Sequence, residues 1–172
     1  MSPVQSLSRG LGLASLVVAL DQLTKWLILT HVMQPPRVIE VTPFFNLVMT
    51  WNRGVSFGMF NGDSPYNAWV LPLVAMVIAV VLVVWLARST HPLMSWGLGL
   101  IIGGAIGNLI DRLRFGAVAD FLDVHAAGWH WPAFNVADAA ITIGVVVLIG
   151  DSLFDSATHR KRNQMASKEA GE

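Results

Sequence analysis

Two acids eighteen residues apart are the side chains of this chain best suited to chemistry: Asp120, in Ala117-Val-Ala-Asp-Phe-Leu, and Asp138, in Phe134-Asn-Val-Ala-Asp-Ala-Ala. If the fold brings them together they share a proton, because like charges a few ångströms apart cannot both ionise. One then acts as a base toward water and the other as an acid toward a carbonyl, which suffices to hydrolyse a peptide without a metal or a covalent nucleophile. Spacing alone does not make them meet. Asp138 has a simpler reading as a first-turn helix carboxylate favoured by the macrodipole, with Asn135 as the cap. Asp120, Asp123, His125 and His130 form a competing constellation, but their spacing matches no common ligand motif, and no metal or other cofactor is expected. The absence of cysteine excludes a thiolate nucleophile and Cys-ligated metal. A Ser-Lys hydrolase would need a neutral Lys25 beside a serine such as Ser56. Asp21, four residues before Lys25 on the same helical face, argues for a charged lysine.

The elements that must position these groups belong to a membrane. Of 172 residues, 54% are hydrophobic and 13% charged, where soluble domains carry about 25% charge. Lys+Arg and Asp+Glu balance at 11 each, and the basic residues do not interleave with aromatics, so no nucleic-acid partner is expected. A helix rises 1.5 Å per residue and the hydrocarbon core is about 30 Å thick, so about 20 apolar residues mark a span. Four segments qualify, at about 11–30, 68–87, 93–111 and 132–152. The first contains Asp21 and Lys25, and Asp-Gln-Leu-Thr-Lys stands where a signal peptide would need a small-residue cleavage site. It reads as a retained span.

Four spans put both termini on one side, and the positive-inside rule makes that side cytoplasmic. Arg9, Arg88, Arg160, Lys161, Arg162 and Lys168 fall there, against Arg37, Arg53, Arg112 and Arg114 opposite. Residues 31–67 and 112–130 then form outer loops holding most of the polar, irregular sequence. Within the first, Arg37-Val-Ile-Glu-Val-Thr and Phe44-Phe-Asn-Leu-Val-Met-Thr-Trp predict a small sheet. The expected fold is a membrane all-α bundle of four transmembrane helices with a small extracytoplasmic β-sheet and loop region. It comprises one domain over 1–155 and a polar cytoplasmic tail over 156–172.

A charge at membrane depth costs about 2.5–3.5 kcal/mol on insertion scales, so each one needs a reason. Asp21 and Lys25 read as an ion pair facing the bundle. Gly99, Gly103 and Gly107, at four-residue spacing, read as a smooth face for close helix approach. At its end stand Asn108, Asp111 and Arg112; the last two are adjacent, do not face each other on a helix, and each must bind a group elsewhere. Two readings without a peptidase remain. A proton-coupled transporter could use Asp21, Lys25, Asp111 and Asp138 as a relay, although no inverted repeat is visible. A scaffold binding helices through the glycine face would leave the outer acids unexplained.

Five motifs occur in order: Leu20-Asp-Gln-Leu-Thr-Lys25, Asn52-Arg-Gly-Val-Ser-Phe57, Gly107-Asn-Leu-Ile-Asp-Arg112, Val118-Ala-Asp-Phe121 and Phe134-Asn-Val-Ala-Asp-Ala139. Over nearly the whole chain this resembles the bacterial lipoprotein signal peptidases, or signal peptidase II. The family usually has Val-Val-Asp-Phe where Ala119 stands here, and often Gly-Ala-Ala where Gly54-Val-Ser stands. The resemblance implies an aspartic endopeptidase with Asp120 and Asp138 as catalytic dyad. It implies supporting or substrate-holding roles for Asp21, Lys25, Asn52, Gly54, Asn108, Asp111, Arg112 and Asn135. The implied substrates are diacylglyceryl-modified prolipoproteins, cut just before the lipidated cysteine. The acyl chains would keep the scissile bond near the bilayer. It further implies residence in the bacterial inner membrane, contact with membrane lipids, and inhibition by cyclic peptide antibiotics such as globomycin. A site enclosed by four helices of one chain is expected to work as a monomer.

Overall fold

In the computed structural model, residues 2–54 and 67–169 are described; Ser56 and the end of the Asn52–Phe57 motif lie outside them. Helix α1, Pro3–Leu27, starts eight residues before the expected span because Ser2 and Gln5 form a capping box and Pro3 supplies a preset φ at the first helical position. A single π-helical turn, Ile28–Val32, ends it. Strands β1, Ile39–Thr42, and β2, Phe45–Asn52, follow, then α2, Asn67–Arg88. Helix α3, Pro92–Phe115, again opens on proline and runs four residues past the expected end, where Gly116 takes φ +69° and closes it. Among the described residues, four helices are long and apolar enough to span a bilayer, Pro3–Val32, Val70–Arg88, Pro92–Phe115 and Val136–Phe154.

Strands β3, Val118–Ala126, and β4, Trp129–His130, complete an antiparallel sheet in the order β1-β2-β3-β4. The sheet draws on both loops, not the first alone. Its connection to the last helix also moves the start of that span. Phe134 exchanges backbone hydrogen bonds with Leu122, and Trp131 N–H reaches Val124 C=O, so 131–134 is extended. Helix α4, Val136–Glu169, therefore begins four residues later than expected. It then continues through most of the segment expected as a polar tail.

The bundle is built around α3, which packs between α1 and α4. A Cβ at Gly99 would lie 2.6 Å from the Gly10 carbonyl oxygen, and one at Gly103 would lie 2.7 Å from that of Ala14. Gly97 and Gly104, on the α4 side, similarly face Leu148, Gly144 and the Ala137 carbonyl. With no hydrophobic effect between helices in lipid, this close backbone approach is what holds them together. Gly107 does more than pack: a Cβ there would stand 2.6 Å from Asp21 Oδ2, so the missing side chain makes room for a carboxylate. Away from the sheet, buried Ser6 and Ser95 hydroxyls bond to each other, and His91 Nδ1 lies 3.0 Å from Asp151 Oδ2. The starts of α1 and α3 and the α2–α3 link thus share one end of the bundle, with the sheet at the other.

Candidate active site

At the sheet end, the last turns of α1 and α3, the first turn of α4 and the middle of β3 converge on buried polar side chains. Among them is the Lys25 ammonium, almost fully enclosed, which lies 2.8 Å from Asp21 Oδ2, 2.8 Å from Asp111 Oδ2 and 3.2 Å from Asn108 Oδ1. Its three protons have three acceptors, so Nζ is not available as a base for a serine, and it is not an open relay group. The carboxylates around it are saturated too. Asp21 Oδ1 accepts the Ala137 N–H at 3.0 Å, and Asp111 Oδ2 accepts the Ala119 N–H at 3.2 Å. This ion triple therefore pins the start of α4 and the residue preceding Asp120 to α1 and α3. Buried ion pairs offset their desolvation only when the remaining lone pairs and protons are satisfied, as they are here.

Gln22, which the sequence reading passed over, belongs to the same knot. Its amide donates to Asp111 Oδ1 at 3.0 Å, and to Asp21 Oδ2 and the Gly107 carbonyl at 3.2 Å each. The signal was present: an amide between Asp21 and Lys25 within a span is as much in need of a reason as they are.

Asp120 is positioned by register. It pairs with Thr50 across β2 and β3, and Asn52, two residues along, is its diagonal neighbour; Asn52 Nδ2 donates to Asp120 Oδ2 at 3.2 Å. The Asn52 amide is oriented because its Oδ1 accepts the Gly54 N–H at 3.1 Å, while Arg112 donates to the Gly54 carbonyl at 3.1 Å. A β-bulge between Leu47 and Thr50 shifts which β2 residues face Asp120. Arg112, half-buried, also donates to the Asn108 carbonyl at 3.4 Å and is acted on electrostatically by Asp138, Asp120 and Asp111.

Asn135 joins the two acids. Its side-chain amide donates to Asp120 Oδ1 at 2.7 Å, and its backbone N–H donates to Asp138 Oδ2 at 3.2 Å. Asn135 Oδ1 in turn accepts the Asp138 N–H at 3.0 Å, a reciprocal cap that fixes the start of α4. Asn108 Nδ2 donates to the other oxygen of Asp138 at 2.8 Å. The cap on Asp138 thus comes from the same residue that holds Asp120. Asp120 is 2% exposed, whereas Asp138 is half-buried. Burial, and next the Asp138 charge, push the Asp120 carboxyl up to about 7, against the pull of its hydrogen bonds from Asn52 and Asn135 and of the Lys25 charge. Asp120 can therefore keep its proton near neutral pH beside the Asp138 charge.

All ten residues singled out from the sequence lie in this network. The rival metal set does not converge. Asp120 is taken up by Asn52 and Asn135, whereas Asp123 accepts from His130 Nδ1 at 2.9 Å and Asn46 Nδ2 at 3.0 Å. His125 stacks on His130, and no group of three or more metal-ligating side chains occurs among the described residues. Partial desolvation pushes the Asp123 carboxyl upward, but the His130 and Asn46 hydrogen bonds outweigh it and hold it below the usual range.

The family model described as Signal peptidase (SPase) II matches residues 13–154. A lipoprotein signal peptidase of Rhodopseudomonas palustris is 47% identical over 160 residues, covering 89% of this chain and 94% of the relative. One from Janthinobacterium sp. is 43% identical, covering 83% and 87%. A solved bacterial membrane enzyme superposes with a TM-score of 0.77 at 32% identity, covering 87% of this chain and 90% of its own. Matched across all four spans and the sheet, this multi-pass membrane protein belongs to the signal peptidase II family and is a peptidase of the lipoprotein signal peptidase kind.

Proposed function

We propose that the chain removes signal peptides from diacylglyceryl-modified prolipoproteins by direct attack of water, with Asp120 and Asp138 as the catalytic pair. The Asn135 bridge carries this reading, since one side chain and its own N–H hold both carboxylates. Asp138, the more open acid, takes a proton from water as the oxygen attacks the scissile carbonyl carbon. Asp120, the buried and protonated partner, gives its proton to the carbonyl oxygen, forming a neutral gem-diol. The proton held by Asp138 then passes to the leaving nitrogen, the C–N bond breaks, and Asp120 regains a proton from the collapsing diol.

Asn52, Asn108 and Asn135 hold the pair, and the Asp21–Lys25–Asp111 triple with Gln22 holds the elements that carry it. Gly54 and Arg112 fix Asn52, and the Arg112 charge favours the ionised acid of the pair. The site sits where the helices give way to the sheet, at interfacial depth. That suits a scissile bond held there by the acyl chains of the adjacent cysteine. In this reading the sheet end faces away from the cytoplasm of a bacterial inner membrane, with both termini cytoplasmic. Arg9, Arg88 and the 160–162 run at the opposite end support that orientation. Cyclic peptide antibiotics such as globomycin are expected to compete for the same site, and one chain is expected to suffice.

The test is cleavage of a diacylated prolipoprotein in detergent. Asp120→Asn and Asp138→Asn should each lower turnover by at least about 10³-fold, the scale of a removed acid–base partner in a cooperating pair. Unchanged turnover by Asp138→Asn would remove the mechanism.

A further inference from the structure

A cavity of about 380 Å³ opens beside the ion triple, between the sheet ends of α1 and α3 and strand β2. Its walls include Trp26, Trp51 and Phe115, each more than two-fifths exposed, and its polar floor includes Lys25 and Asp111. Arg114 stands at the rim. Its guanidinium lies over the Phe115 ring, 4.9 Å from the centroid, and reaches Gln22 Oε1 at 3.5 Å. No carboxylate is paired with Arg114 among the described residues: Asp111, in the same wall, is committed to Lys25, to Gln22 and to the Ala119 N–H. Outside the rim, exposed Leu23 and Leu27 on α1 and Leu113 on α3 continue the lipid-facing surface of the bundle.

We propose that this cavity binds the phosphoglycerol headgroup of an anionic phospholipid, with its phosphate on Arg114. Tryptophan rings flanking a cation at the end of spanning helices are the side chains that settle at headgroup level. The volume lies at the lower end of the roughly 300–1,000 Å³ of small-ligand sites. It accommodates a phosphate and its glycerol, and leaves the acyl chains to run along Leu23 and Leu27. Charge selects the occupant. The diacylglyceryl group of a lipidated cysteine is uncharged and would leave Arg114 without an anion, whereas a phosphate pairs with it. The site is separate from the acid pair, and the proposal stands whether or not the water-attack mechanism does. An occupant would brace the floor that also holds Asn108 and the Ala119 N–H.

The experiment is lipid retention by the full chain. Protein is reconstituted in phosphatidylcholine nanodiscs with one fifth phosphatidylglycerol, then released for native mass spectrometry. Wild type should retain one phosphatidylglycerol per chain. Arg114→Gln should retain about fivefold less, the scale of one basic contact at an anionic surface. Arg114→Lys should keep at least half. Arg37→Gln removes an exposed charge elsewhere on the sheet end and should change nothing. An equal loss in Arg37→Gln would assign the effect to surface potential and overturn the proposal. So would equal retention by wild type and Arg114→Gln. Competition supplies the last arm: displacement by uncharged diacylglycerol would make the cavity a substrate site. Displacement by millimolar glycerol phosphate would make it a site for soluble phosphate. Either overturns the lipid assignment, and resistance to both supports it.

Discussion

Replacing Asp120 by Asn should stabilise the protein while abolishing its activity, and the stabilisation should grow with pH. The Asp120 carboxyl titrates at about 7 in the fold against 3.8 for the free side chain, because burial and the Asp138 charge both disfavour its ionised form. Between these values the folded chain holds a proton that the unfolded chain has released, so folding stability falls as pH rises through that window. Below 3.8 the carboxyl is protonated in both states and contributes no pH dependence. From pH 5 to pH 8 the unfolded carboxylate stays ionised while the folded one changes from neutral to charged. Integrating the difference in bound protons gives about 2–3 kcal/mol of stability lost by wild type over that interval. The Asn variant has no such group. It keeps the Asn135 bond to its amide oxygen and turns an NH₂ toward Asn52, which costs about 1 kcal/mol at any pH. Equilibrium unfolding in mixed micelles at pH 5 and pH 8, wild type against Asp120→Asn, separates the two effects. The gap between the proteins should move by about 2–3 kcal/mol in favour of the variant at the higher pH. A gap that is the same at both would mean that Asp120 does not titrate in this range, and the assignment of the shared proton would fall with it.

Lys25→Met leaves the Asp21 and Asp111 carboxylates buried without their cation and should destabilise the fold by about 3–5 kcal/mol. The double variant Asp21→Asn/Lys25→Met should recover part of that loss, measured in the same unfolding assay. Asn135→Ala frees the Asp120 carboxyl and removes the side-chain cap on the Asp138 N–H, while the backbone bond to Asp138 remains; a misplacement of about 1 Å costs on the order of 10²-fold in rate. Its kcat should fall by that order with little change in KM, read from prolipoprotein cleavage. Gly99→Val drives a side chain into the Gly10 backbone and should lose about 1–3 kcal/mol. Gly12→Ala, with nothing within 4 Å of its new Cβ, should lose none. Equal effects of the two would contradict close packing of α3 on α1.

Much of the membrane frame was legible from residue type alone, because hydrocarbon admits few polar groups and each exception stands out. That is why Asp21, Lys25, Asn108, Asp111 and Asp138 could be picked individually, and why the bundle interface was visible as glycines at four-residue spacing. Helix ends were less legible. The α1 start depended on a Ser2–Gln5 cap outside the apolar run, and the α4 start on a backbone bridge to Leu122. Strand β3 was not read as a strand. Val118–Ala126 is buried on both faces near its start, so it lacks the alternation that marks a half-exposed strand.

By itself the sequence determined the solvent, the number of spans and the inventory of costly side chains, since these follow from local composition and length. Motif order then tied the chain to a family, and through it singled out Asp120 and Asp138. Only the tertiary structure decided how these residues meet. Asp120 reaches the site through the β2–β3 register and its bulge, and Asp138 through the first turn of a helix anchored on Asp21. Asn135 joins them because its side chain points to one acid and its backbone to the other. Such contacts between residues 15 to 116 positions apart leave no periodicity in the chain, because a buried hydrogen bond constrains geometry in space and not spacing in sequence.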